Sequence, residues 1–180
     1  MSRILKRIAA GVVIAGVAAL LLAAGGYAAG ARVNTTKSIP VGLYWTSSAP
    51  VEKGAYVLFC PPQLGVFDDA KERGYIGAGF CQGGYGYMMK RVLAAKDDAV
   101  AVAVADDGVR VNGELLPLSA PIKADKAGRP LPRYQSNSYT LGNSEVLLMS
   151  DVSATSFDGR YFGPINRSQI KTVIRPVITW

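Results

Sequence analysis

Tyr87-Met88-Met89-Lys90-Arg91-Val92-Leu93 reads as a strand in a sheet core. Side chains two apart on a strand share a face, so Lys90 lies with Met88 and Val92 and opposite to Arg91. Outward from this stretch, further apolar or β-branched runs bounded by turn residues occur at Gly54 to Phe59, Ala99 to Val104, Val109 to Val111, Val146 to Met149 and Thr172 to Arg175. Asp106-Asp107-Gly108 and Asn112-Gly113 are tight-turn signals, which would join Val100 to Val104, Val109 to Val111 and Leu115 to Leu116 into a meander. Helix is scarce, with one short candidate from Val66 to Arg73. Lys123 to Ser138, rich in charge, proline and serine, reads as an exposed loop. The pattern predicts a mainly β domain.

Before that domain, Ile8 to about Ala31 is almost wholly Ala, Val, Leu, Ile and Gly without a charge, and roughly 20 such residues span a bilayer as a helix. Arg3, Lys6 and Arg7 precede it, so the positive-inside rule keeps the N-terminus in the cytoplasm and sends the chain after Arg32 across the membrane. A cleavable signal peptide has the same order of features; the length of the apolar run favours a retained anchor. The expected organisation is a cytoplasmic end and transmembrane anchor over residues 1–31 and a single domain beyond the membrane over 32–180. The remaining length suits one domain.

The net charge is +7, from 20 Lys and Arg against 13 Asp and Glu. It is not clustered as a nucleic-acid footprint, and no nucleic-acid partner is expected. After Asp158 there is no acid, while Arg160, Arg167, Lys171 and Arg175 follow. A basic end beside an apolar anchor suits an anionic lipid surface; a solvated basic strand explains it as well. Cys60 and Cys81 are the two cysteines, both beyond the anchor. An oxidising compartment lets them bridge, and a closure of that length stabilises by about 3 kcal/mol in the loop-entropy account. Two free buried thiols are the other reading. Two thiols without histidine leave zinc short of ligands, so neither a metal nor a cofactor is expected.

The chain has no histidine. A serine nucleophile then needs a carboxylate or a desolvated lysine amine as its base. Ser38 lies just past the anchor, in Thr35-Thr36-Lys37-Ser38-Ile39-Pro40-Val41-Gly42-Leu43-Tyr44-Trp45, and Lys90 would sit among apolar neighbours, which disfavour the ammonium form and ready the amine for base duty near neutral pH. A Lys90 that snorkels its head into water is the plain alternative. Lys37 is a poor candidate, since in an extended segment it points opposite to Ser38.

A third stretch, Ser150-Asp151-Val152-Ser153-Ala154-Thr155-Ser156-Phe157-Asp158-Gly159-Arg160-Tyr161-Phe162-Gly163-Pro164-Ile165, is alone a polar loop in which Asp158 and Arg160 could pair. In the order anchor, Ser-x-Pro, Met-Met-Lys-Arg, then this stretch, the chain resembles the type I signal peptidase family of Ser/Lys endopeptidases. Ser38 to Tyr44 looks most like the branch serving plasmid conjugation, the TraF-type transfer peptidases that mature a propilin. The resemblance implies a signal-peptidase-like β-sheet or barrel catalytic domain in the periplasm, on a single-pass anchor in a bacterial inner membrane. It makes Ser38 the nucleophile, Lys90 the general base, Thr36 a hydroxyl donor to the oxyanion, Ser156 a hydrogen-bonding guide for the lysine, and Asp158 with Arg160 an ion pair in which Asp158 also bears on activity. It implies shallow pockets for small residues, lined by Ile39, Pro40 and Val41, with Leu43, Tyr44 and Trp45 lining pockets or resting in the membrane interface. The expected partners are the membrane and a protein substrate, a propilin or another precursor bearing a signal peptide. Ser150-Asp151-Val152-Ser153 replaces the family's usual Gly-Asp-Asn-Arg, which favours the conjugative branch over general secretory processing. A non-catalytic anchored scaffold of a pilus or secretion complex is the remaining reading.

Overall fold

Helix α1 (Arg3–Ala28) begins at Ser2, whose side chain accepts the Leu5 N–H. None of its residues is buried, its mean hydropathy reaches 2.5, and it is long and apolar enough to cross a membrane. The structure, a computed structural model, describes residues 2–102 and 107–180. Beyond α1 it is mostly β, with strands β1 (Ala31–Asn34), β2 (Gly42–Ser47), β3 (Tyr56–Phe59), β4 (Met88–Ala94), β5 (Ala99–Val102), β6 (Val109–Val111), β7 (Glu114–Leu115), β8 (Ser136–Thr140), β9 (Glu145–Met149), β10 (Ile165–Asn166) and β11 (Ile170–Thr179). Among the described residues two short helices, α2 (Gly65–Glu72) and α3 (Gly159–Phe162), and two single 3-10 turns, Gln82–Gly84 and Arg167–Gln169, complete it.

One sheet has the order β1-β2-β11-β3-β4-β9-β10 and the other β7-β6-β5-β8. Strand β4 is interior to the larger sheet, between β3 and β9. Met88, Lys90, Val92 and Ala94 are buried and the residues between them half-buried, the alternation expected of the opening stretch. Val57 stands opposite Lys90 on β3. The main core, with Val57, Phe59, Phe67, Met88, Val92, Leu148 and Val173, packs α2 on this sheet. At about 25 cal/mol for each Å² withdrawn from water, such side chains stabilise by roughly 1.5–3 kcal/mol apiece. Cys60 and Cys81 are bridged, with Cα atoms 5.5 Å apart.

Strand β11 has β2 and β3 as neighbours, but its pairing with β3 ends at Ile174, so Pro176, lacking an N–H, faces β2 alone. It crosses so close to Gly42 that a Cβ there would lie 2.2 Å from the Ile178 carbonyl oxygen, and only glycine fits. Asn112 and Gly113 both adopt positive φ, 53° and 83°, as the turn between β6 and β7 requires. Ala103, Val104 and Asp106, assigned by pattern to a strand and its turn, lie outside the described residues.

Two expectations need correction. Ser136 to Ser138, read as loop, belong to β8, an edge strand of the smaller sheet whose residues are exposed or half-buried and so carry no apolar alternation. Arg160 is no part of a basic surface, being fully buried against Asp158.

Candidate active site

After β1 the chain turns sharply through Thr36, Lys37 and Ser38 before entering β2. Thr36 and Ser38 bring their hydroxyls to 2.8 Å. Facing this turn across a cavity of about 460 Å³ are Lys90 of β4 and Ser156 of the loop after β9; all four side chains belong to the cavity wall. Its apolar part comes from Val33, Ile76, Met88, Met89 and Phe157, with Tyr75 and Tyr87.

Lys90 is 3% exposed, so it does not snorkel. Its strand, β4, is interior to the larger sheet. Burial lowers its amine from 10.5 to about 8, while Asp158 pulls upward and Arg160 downward. A lysine of this kind is neutral in a useful fraction of molecules near neutral pH. On the opposite face of β4, Arg91 pairs with Asp151 at 2.6 Å and donates to the Gly54 carbonyl at 3.0 Å.

Asp158 and Arg160 are both fully buried and form a fork, Nε to Oδ1 at 2.8 Å and Nη2 to Oδ2 at 3.0 Å. The carboxylate also accepts the Ser150 N–H at 3.0 Å, and the guanidinium donates to the Ala154 carbonyl at 2.7 Å and the Ser153 carbonyl at 3.3 Å. The pair therefore pins the loop that carries Ser156. Asp158 stands behind the cavity, not in its wall.

A family model for signal peptidase, peptidase S26, matches residues 1–180. This chain belongs to that signal peptidase family. It is similar to a plasmid transfer protein TraF of Escherichia coli, 99% identical over the whole of both chains, and to a second of that name and species at 76% over the same span. A conjugal transfer protein TraF of Agrobacterium fabrum is 34% identical, covering 92% of this chain and 93% of its own. Among solved structures, a signal peptidase I of Enterococcus faecalis covers 72% of this chain and all of its own at 16% identity and a TM-score of 0.41.

In this signal peptidase family member several site residues stand otherwise than the sequence led us to expect. Ile39 is fully buried against Tyr44, Leu58 and Ile174, and neither it nor Pro40 nor Val41 touches the cavity. The turn at Ser38 swings Ile39 inward, leaving the apolar wall to residues of β1, β4, the segment after α2 and the loop after β9. Tyr44 is likewise core. Lys37 borders the cavity, exposed, because the segment turns where an extended one was assumed. Ser156 is nearly buried and its Oγ has no hydrogen-bond partner among the described residues, so the expected bond to Lys90 is not formed; catalytic hydrogen bonds commonly tighten only when substrate arrives. The sequence reading missed Asn34, buried beneath the Ser38 turn; Tyr44, expected in a pocket or the interface, instead donates its hydroxyl to the Pro40 carbonyl at 2.6 Å.

Proposed function

We propose that this protein is a membrane-anchored serine endopeptidase of the Ser/Lys type that matures the propilin of a conjugative plasmid. The observation carrying this reading is the shared cavity, which places a half-buried serine and a fully buried, weakened lysine against one space large enough for a peptide. Neutral Lys90 takes the proton of Ser38, whose oxygen attacks the scissile carbonyl. The Ser38 N–H and the Thr36 hydroxyl stabilise the oxyanion, an effect worth roughly 3 to 4 kcal/mol per donor. Lys90 then protonates the leaving amine and activates the second nucleophile, water for hydrolysis or a substrate amine for ring closure. Ser156 steadies the amine, and Asp158 with Arg160 holds the loop bearing Ser156. The basic residues Arg3, Lys6 and Arg7 at the start of α1 support a cytoplasmic N-terminus and a periplasmic catalytic domain, where the disulfide is stable. The transfer-protein names of the relatives support conjugation as the setting.

Ser38→Ala and Lys90→Arg should each abolish propilin processing, monitored by the mass of the product, while Lys37→Ala retains it. Arginine cannot deprotonate at any working pH. Processing by Lys90→Arg at the wild-type rate would refute the base assignment. Equal processing of ordinary secretory precursors would make this a general signal peptidase.

A further inference from the structure

Asn34 closes β1 directly beneath the Ser38 turn and is 4% exposed. Its Nδ2 lies 2.7 Å from the Thr36 carbonyl, 3.0 Å from that of Ile39 and 3.1 Å from that of Pro40. Its Oδ1 accepts the Thr36 N–H at 3.2 Å and the Thr36 hydroxyl at 2.9 Å. Three carbonyl oxygens on one side and an N–H on the other fix the amide orientation, because the flipped group would set oxygen against oxygen.

That orientation decides where the protons of two hydroxyls go. A hydroxyl has one hydrogen to give. Thr36 gives its own to Asn34, so in the 2.8 Å contact between Thr36 and Ser38 it is Ser38 that donates. We infer that Asn34 is a positioning residue of the Ser/Lys machinery, one that shapes the nucleophile turn and directs the resting Ser38 proton to Thr36. This inference rests on the peptidase reading above. Substrate must then exchange two hydrogen bonds before attack: Ser38 transfers its bond from Thr36 to Lys90, and Thr36 turns its own from Asn34 to the incoming carbonyl oxygen. The resting nucleophile is thereby held off its base until a carbonyl arrives.

The test measures kcat, KM and the pH profile on purified pilin precursor, using full-length detergent-solubilised enzyme. Thr36→Val should lower kcat by about 100-fold, the usual effect of losing an oxyanion donor, and Thr36→Ser should restore most of it. Asn34→Ala should lower kcat at least as far, leave KM within about threefold and leave the midpoint of the pH profile in place, since Lys90 is untouched. The double variant Asn34→Ala with Thr36→Val should be little worse than the poorer single, because residues acting through one another are non-additive. A wild-type kcat in Asn34→Ala, or effects that multiply in the double variant, would overturn the inference. Should Asn34→Ala fail to fold, equal kcat in Thr36→Val and Thr36→Ser would overturn it instead. Ser38→Ala separates the two levels: if it still processes precursor the peptidase reading fails, whereas inert Ser38→Ala beside fully active Asn34→Ala refutes Asn34 alone.

Discussion

Lys90→Met should inactivate the protein and make it more stable. Methionine matches the lysine stem in length and removes the charge, and the surroundings are Val57, Met88 and Val92. The amine titrates at about 8 in the folded chain and at 10.5 when solvated. Below pH 8 both states hold the proton and the folded state bears the full cost of a buried ammonium, about 3 kcal/mol at 1.36 kcal/mol per pH unit. Between pH 8 and 10.5 the unfolded chain binds more protons, so wild-type stability rises with pH and the penalty fades. The variant should therefore gain about 3 kcal/mol at pH 7 and almost nothing at pH 10.5. Urea unfolding of the full chain in detergent, followed by fluorescence of Trp45 and Trp180, measures the difference. An equal gain at both pH values, or a loss at pH 7, would mean that the charge is solvated and the proposed base is an ordinary lysine.

Turnover of the wild type should climb about tenfold from pH 6 to 7 and level off above 8, as expected of one group losing its proton at about 8; a flat profile over that range would exclude Lys90 as base. Asp158→Asn leaves Arg160 charged and fully buried without its partner, and breaking such a pair costs roughly 3 to 5 kcal/mol. Because the Asp158 charge pulls the Lys90 amine upward, whatever activity survives should have its midpoint moved to lower pH; an upward move would contradict the electrostatics.

Strand β4, the Asn112-Gly113 turn, helix α2 and the apolar α1 were legible because each repeats one physical signal over several residues: alternation, paired positive φ, amphipathic spacing or unbroken hydropathy. Strand β8 carries no such signal, since it is an edge strand whose residues are exposed or half-buried, with Tyr139 alone packed against the core. The candidate site divides the same way. Lys90 was readable from its apolar neighbours, and Ser38 and Ser156 from the motif. Asn34 was hidden because a buried amide that satisfies carbonyls folded back over it looks, in a linear chain, like any polar residue at a strand end. Ile39 was misplaced because the direction of a side chain in a tight turn depends on backbone torsions that no residue in Thr36-Lys37-Ser38 dictates.

The pairing of Ser38 with Lys90 is tested most directly by locating covalent labelling with a peptidyl fluorophosphonate, which phosphonylates a serine whose oxygen has been activated. Peptide mass spectrometry should place the adduct on Ser38, at a rate rising toward pH 8 in the wild type, with no adduct in Lys90→Arg. Labelling of Ser38 at the same rate in Lys90→Arg, or an adduct on Ser156 in place of Ser38, would contradict it.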